Sequence, residues 1–357
     1  MILNRESARR AMLGGCILGG GGGGSAAMAG ELVAGLDDYA PLTLTPLSAL
    51  ESDAVVLTVG LVGAPAAKDL FVSPAAMIRA VELCRENLPD VKIGGIMTNE
   101  NGAFATVNGW LQAAALGLPL IDAQCNGRAH PTGVMGSMML HKDPSYFTTM
   151  AFAGGNPDKN LYLEGVVRGT IDQTSPLVRQ ASVMAGGMVG VARNPVTAAY
   201  VRANGAVGGI SQAIELGRRY EEGLKTSPMA AAQAAADFLH GRILAHGTVE
   251  RCELETRGGF DVGTFAVGDC TLSFWNEYMT ADTADGGRAA TFPDLIMTLD
   301  AETGAPVTSA NVRAGQELII LTTGEKHLNL AATMHDLGLL QEAETVVGRE
   351  MRPYWEF

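Results

Sequence analysis

The sequence predicts an α/β N-terminal domain joined to a β-rich, α+β C-terminal domain, and three observations carry that expectation. Apolar runs of strand length alternate with helical periodicity through the first half. From about residue 243 onward, short apolar or alternating runs are separated instead by Gly, Asp and Asn turns. A chain of 357 residues also exceeds what one hydrophobic core usually serves. Domains are therefore expected over residues 1–168 and 169–357, the second carrying two helices.

Taken in order, residues 54–61 read as a buried strand, 74–87 as a helix and 91–97 as a second strand. Residues 108–116 form an Ala- and Leu-rich helix leading into a short strand at 119–122. In open α/β sheets, ligands bind beyond the carboxyl ends of the strands, which directs attention to the segments after Leu18, Met97 and Ile121. The second region opens near residues 165–174 with strand-like material and continues through helices at about 211–223 and 228–240. Strands are then expected at 248–257, 264–274, 295–299 and 317–322. The first 24 residues faintly imitate a secretory leader, with basic residues before an apolar patch. Glycines occupy the place of a sustained apolar run, so the segment reads as part of the fold.

Composition narrows the function classes. Apolar residues make up 47% of the chain and charged residues 18%, which suits a compact globular protein with a large core. A net charge of −13, with no Lys/Arg run to offset it, argues against nucleic acid as a partner. The longest apolar stretches, such as residues 113–120, stop short of the roughly 20 residues that span a bilayer. Five scattered cysteines (Cys16, Cys84, Cys125, Cys252, Cys270) without a CxxC pair suggest reduced thiols and a cytoplasmic setting. A homo-oligomer is expected of so apolar a chain.

Three segments of the first half can carry chemistry. The run Gly19 to Gly24 leaves backbone N–H groups uncovered, so Gly20, Gly21, Gly22 and Gly23 are candidate donors to an anion or polarised ligand atom; the alternative is a tightly packed turn. Six glycines satisfy the dinucleotide pattern GxGxxG trivially, and the acidic residue expected about 20 positions on is not well placed, so a nucleotide-dependent dehydrogenase is the weakest option. Asn99, Glu100 and Asn101 follow an apolar strand and offer amides and a carboxylate to a polar ring, or simply cap the next helix. The segment from Asp122 to Pro131 gathers Asp122, Cys125, Arg128 and His130 behind one short strand. There Cys125 is a candidate thiolate nucleophile, Asp122 or His130 a candidate base, and Arg128 a fork for a substrate carboxylate. A structural Arg128–Asp122 pair with Cys125 as apolar filler is the alternative. Asn276 and Glu277, beside aromatic residues of the second half, would complete a pocket wall or form a turn.

The six histidines show no zinc-site spacing. A divalent metal such as zinc would have to be assembled from distant positions, with Asp122, Cys125, His130 and Glu100 as first candidates, and no cofactor is required by the sequence.

The multi-glycine loop, the stretch NENG at Asn99 to Gly102, the run LGLPLIDAQCNGRAHP, and later NEYM and TFPDLIMTLDAETGAPV together resemble the S-methyl thiohydantoin desulfurase-like family over residues 9–322. The resemblance implies an α/β domain followed by a β-rich domain, the company of hydantoinase- and oxoprolinase-type enzymes, and replacement of the C=S of a thiohydantoin propionate by C=O with release of hydrogen sulfide in ergothioneine breakdown. This chain departs from the family's Asp-x-Asp-Gly-x-Gly-Arg-Ala segment: it reads Asp122-Ala-Gln-Cys125-Asn126-Gly127-Arg128-Ala129, so one acid is missing and a thiol stands nearby. Its tail, with His327 and His335, also departs from the pattern.

The expected function is hydrolytic desulfurisation of a thiohydantoin carboxylate, by Cys125 or by activated water, with the glycine amides stabilising charge on sulfur. Two alternatives stand beside it. One is a non-catalytic subunit of a hydantoinase/oxoprolinase-type assembly, and the other a hydrolase of a hydantoin-like ring without sulfur chemistry.

Overall fold

The computed structural model describes residues 1–63, 67–257 and 260–357. The chain begins with α1 (Arg5–Leu18), whose start is set by Asn4: its side chain accepts from the Ser7 amide at 2.8 Å while the Asn4 amide donates to Ser7 Oγ at 2.7 Å. The helix runs into the glycine loop and then α2 (Ala26–Ala34). The expectation that Leu18 ends a strand is therefore corrected. A strand–loop–helix dinucleotide site is absent here, because a helix precedes the glycines.

A mixed sheet follows. Its elements are β1 (Leu44–Thr45), β2 (Val55–Gly63), α3 (Pro74–Glu86), β3 (Ile93–Thr98), α4 (Trp110–Leu116), β4 (Leu120–Gln124), β5 (Thr148–Gly154), β6 (Leu163–Gly169), α5 (Ile171–Met184), β7 (Met188–Thr197), α6 (Ala198–Asn204) and β8 (Ala206–Val207). Among the described residues the strand order is β1-β4-β3-β2-β7-β5-β6, with β8 on β4. The pairs among β1 to β4 are parallel, whereas β7, β5, β6 and β8 pair antiparallel. The first sheet thus draws strands from residues as late as Val207, beyond Arg168.

Two helices, α7 (Gly209–Leu224) and α8 (Pro228–Phe238), lead to an antiparallel sheet. It is built from β9 (Arg242–Arg257), β10 (Phe260–Val267), β11 (Cys270–Trp275), β12 (Glu277–Thr283), β13 (Arg288–Thr291), β14 (Leu295–Asp300), β15 (Pro306–Val307) and β16 (Glu317–Thr323), and the chain closes with α9 (Leu337–Val347). The order among described residues is β13-β12-β11-β10-β9-β16-β14-β15. The architecture is α/β followed by antiparallel β. The run read as one strand over 264–274 is two, because Gly268 adopts φ +53° and turns the chain between β10 and β11.

Helix α1 belongs to both halves. Its Ala8 and Ala11 pack with the first sheet and its helices, while Ile17 and Leu18 join Ala213, Leu216 and Tyr220 of α7 against Phe265, Phe274 and Ile296 of the second sheet. The α1–α7 crossing is close because glycines meet it: a Cβ on Gly217 would stand 2.0 Å from the Arg10 carbonyl oxygen. The consequence is positional. The end of α1 delivers the glycine loop to the seam between the two sheets. No described helix is long and apolar enough to cross a membrane.

Candidate functional site

The parallel pairing of β3 and β4 brings two of the candidate segments together. Thr98 stands in register with Gln124, so Asn99 and Cys125 leave adjacent strands side by side. The Cys125 amide donates to the Thr98 carbonyl at 3.3 Å and the Asn126 amide to the Asn99 carbonyl at 3.0 Å. Asn101 ties the bundle: its Nδ2 donates to the Gly127 carbonyl at 2.8 Å, and its Oδ1 accepts from Thr106 Oγ1 at 3.0 Å and Gln124 Nε2 at 3.1 Å. Asn101 is fully buried with its amide used up by these contacts, so the structure places it as a knot in the scaffold rather than as a grip on a ring.

The third segment packs against the same knot. Gly23 lies on Gly102, and the Phe104 and Ala105 amides donate to the Gly23 carbonyl at 3.2 and 3.1 Å. On its other side the loop meets the second sheet, where the Tyr278 amide donates to the Gly20 carbonyl at 2.9 Å and the Ser309 amide to the Gly21 carbonyl at 3.1 Å. These bonds use the loop's carbonyls and leave its N–H groups. Among the described residues no acceptor pairs with the N–H of Gly21, Gly22, Gly23 or Gly24, whereas those of Gly19 and Gly20 close the last turn of α1. Gly20, Gly21, Gly23 and Gly24 all have positive φ, a conformation that leaves this run of donors bare.

Glu277 packs against this loop. Its Oε1 lies directly over Gly22, where a Cβ would meet it at 2.0 Å, and its Oε2 is buried without a partner. Burial holds the Glu277 carboxyl well above the usual carboxylate range; Glu100 raises it further and Arg128 opposes the rise. Because the folded protein binds this proton more tightly than the unfolded chain, stability falls as pH rises above the ordinary value near 4.5 and is free of this penalty below it. Glu277→Gln should flatten that fall, which runs at up to about 1.4 kcal/mol per pH unit for one proton. Urea midpoints measured from pH 5 to 8 check it, and equal slopes for both proteins would refute a neutral Glu277.

A second polar group gathers at the ends of β3 and β4. Asn99 Oδ1 accepts from Arg193 Nη2 at 2.6 Å and from the Cys125 thiol at 2.8 Å, which fixes the amide so that Nδ2 points to Glu100 Oε2 at 3.0 Å and His130 Nε2 at 3.2 Å. His130 Nδ1 donates to the Thr132 carbonyl at 2.6 Å, leaving Nε2 turned to Glu100 Oε2 at 2.9 Å. With Nδ1 carrying the ring proton, Nε2 and the carboxylate both present lone pairs, so Glu100 and His130 form a pair of acceptors with a place for one proton between them, oriented by Asn99 and partly open to solvent.

Other candidates fall elsewhere. Asp122 accepts from the amide of Ser211 at 3.1 Å and its hydroxyl at 2.6 Å, capping the start of α7, and lines a shallow surface cavity of about 290 Å³ with Leu47, Arg202 and Val207. It shares no partner with His130, so its role as base is corrected. Cys125 is fully buried, donates to the Asn99 carbonyl at 3.1 Å as well as to Oδ1, and burial pushes its thiol up to about 12 despite the pull of Arg193. It is a protonated donor, not a thiolate. Arg128 is likewise fully buried and spends its fork on carbonyls of the second sheet: Nη1 donates to Pro293 at 3.1 Å and to Asp294, Nη2 to Tyr278 at 3.5 Å, and the guanidinium lies 4.5 Å over the Phe292 ring. Burial lowers it to about 10, against the pull of Glu277 and Asp294. It pins the two sheets together through both Nη groups, while its buried Nε has no hydrogen-bond partner among the described residues. Asn276 sits at φ +55° in the β11–β12 turn, its side chain accepting from the Asp261 amide at 2.9 Å. It shapes the turn that presents Glu277.

For a metal, the fit is poor. Glu100 and His130 face one another, but Cys125 donates to Asn99 and Asp122 caps α7, so the four candidates do not assemble. Among the described residues no three His, Cys, Asp or Glu side chains are placed to hold an ion.

Comparison with known proteins follows the same two-part division. A model of the S-Me-THD-like N-terminal domain matches residues 7–161, and one of the C-terminal domain matches residues 170–329. The chain belongs to the S-Me-THD-like family. An X-ray structure of a protein from Chromobacterium violaceum matches this S-Me-THD-like chain with a TM-score of 0.74 and 22% identity, over 96% of this chain and 95% of that one. At that identity the likeness shows the fold alone. Among curated proteins none matches.

A buried arginine that the sequence reading of this S-Me-THD-like chain does not include lies against the same segments. Arg193 stands in β7 opposite Thr58 and is 5% exposed, yet it holds Asn99 in place. The signal was present: a guanidinium in the otherwise apolar run MVGVAR needs an internal partner.

Proposed function

We propose that the protein hydrolyses the thione of a thiohydantoin carboxylate, using water activated by the Glu100–His130 pair. The observation that carries the reading is a chain of neighbours: the Glu100–His130 acceptor pair lies close enough to the buried Glu277 carboxyl for Glu100 to raise it, and Glu277 lies over a loop with four unpaired amide N–H groups. Such a division of acid and base by environment is what addition and elimination at one carbon require.

The steps follow from that division. Water oxygen adds to the ring carbon as its proton passes to the Glu100–His130 pair, and the C=S electrons move onto sulfur. The N–H groups of Gly21 to Gly24 stabilise the charge there. Glu277 protonates the sulfur, and the C–S bond breaks with its electron pair leaving on hydrosulfide. The added hydroxyl becomes C=O as its proton passes back to the Glu277 carboxylate, and the proton taken up by the Glu100–His130 pair leaves with hydrosulfide. One water is consumed and one hydrogen sulfide released. Asn99, held by Arg193 and Cys125, keeps the pair aimed.

Purified protein offered a thiohydantoin carboxylate should release sulfide in step with hydantoin formation. Ring opening without sulfide would favour the sulfur-free hydrolase, and no turnover alone but activity in a stable complex would favour the subunit reading. Cys125→Ala should keep turnover near wild type, because the buried thiol only helps orient Asn99. Loss of a covalent nucleophile would instead cost on the order of 10⁴- to 10⁶-fold in kcat. Sulfide release by the variant decides between them.

A further inference from the structure

We infer that Arg193 and Arg179, with Ser175 and Thr132, form a carboxylate-binding subsite beside the Glu100–His130 pair, one that holds the acidic side chain of the ring substrate; the assignment rests on the ring-hydrolysis reading above. Arg193 is buried in β7 and uses one nitrogen on Asn99, while its Nε has no hydrogen-bond partner. Arg179 lies half-buried on α5, one turn beyond Ser175. Among the described residues no carboxylate forms an ion pair with either guanidinium, although the protein carries 38 acidic side chains against 25 basic ones. Burying positive charge without a counter-charge is costly, so two such groups in an acidic protein mark a place kept for an anion.

The neighbours fit the same purpose. The hydroxyls of Ser175 and Thr132 are buried and unpartnered, donors available to carboxylate oxygens. Between them Gly133 leaves space: a Cβ there would stand 3.7 Å from Arg193 Nη1 and 4.0 Å from Ser175 Oγ, in ordinary contact with both. Burial first and then the charge of Arg193 lower Arg179, whose guanidinium lies 5.8 Å from the Phe260 ring centroid. Thr132 also receives the His130 Nδ1 proton at its carbonyl, which joins the subsite directly to the water-activating pair. A ring seated on the glycine amides would direct a flexible acidic side chain this way. Arg128 cannot serve it, because backbone carbonyls hold its guanidinium.

The test is calorimetric binding of a hydantoin bearing a short carboxylate side chain and of its carboxamide counterpart, neither of which has sulfur to release. Wild-type protein should prefer the carboxylate by about 10- to 100-fold, the range of hydrogen bonds between charged groups. Arg179→Gln should lose most of that preference. Gly133→Asp, which places an internal carboxylate against Arg193 and Ser175, should abolish it, with thermal unfolding showing that both variants fold. No preference in wild type, or a preference kept in both folded variants, overturns the subsite. Sulfide release from the matching thiohydantoins is followed in parallel. A protein that holds the preference but releases no sulfide overturns the desulfurisation reading and supports the subsite, and sulfide release without the preference does the reverse.

Discussion

Glu100→Gln should lower kcat for sulfide release about 10³-fold, the middle of the range for a general base, while leaving the folded structure intact. The substitution keeps the shape of the side chain and can give an amide N–H to His130 Nε2, so the 2.9 Å contact survives as a hydrogen bond. What it removes is the pair's ability to take a proton from water. KM should change little, since the glycine amides and the arginine subsite are untouched. Steady-state kinetics on a thiohydantoin carboxylate, with unfolding midpoints as the control for folding, check the split. A variant with wild-type kcat would remove Glu100 from the chemistry and with it the proposed mechanism. One with raised KM alone would make Glu100 a binding group.

What could be read from the sequence was set by how local the determinant is. The strands at 55–63 and 93–98 and the helices at 74–86, 209–224 and 228–238 lie close to their expected bounds, because each carries its apolar pattern within one contiguous window. Helix α1 was missed as a helix, because its boundary depends on the Asn4–Ser7 cap and its glycines on the crossing with α7, a partner some 200 residues away. The candidate site divides the same way. Asn99, Glu100 and His130 touch one another because the parallel pairing of β3 and β4 sets their segments side by side, and Glu100 is near enough to Glu277 to raise its carboxyl. Asp122 and Arg128 have the right chemistry for the roles expected of them, but their side chains are spent on Ser211 and on three carbonyls of the second sheet. Arg193 entered only through its register with Thr58, which no local pattern encodes.

The glycine loop offers the sharpest stability contrast. Gly23→Ala should destabilise the protein by about 3–5 kcal/mol, the combined cost of a left-handed residue with a Cβ and of overpacking a filled contact. Gly23 sits at φ +88°, and a Cβ there would stand 2.2 Å from Gly102 Cα and 2.8 Å from the Asn101 carbonyl oxygen. Both obstacles are backbone, so no rotamer change relieves them. The loop must lift away, and the bonds from Phe104 and Ala105 to the Gly23 carbonyl go with it. Activity should collapse together with stability, because the same displacement moves the unpaired amides away from Glu277. Gly30→Ala is the matched control: it lies in α2 with nothing within 4 Å of the added methyl, and should be neutral or stabilising by up to about 1 kcal/mol. Urea unfolding of the two variants separates packing from general intolerance of alanine. Equal midpoints would mean that Gly23 is not wedged against Gly102, and the glycine run would then be only a turn.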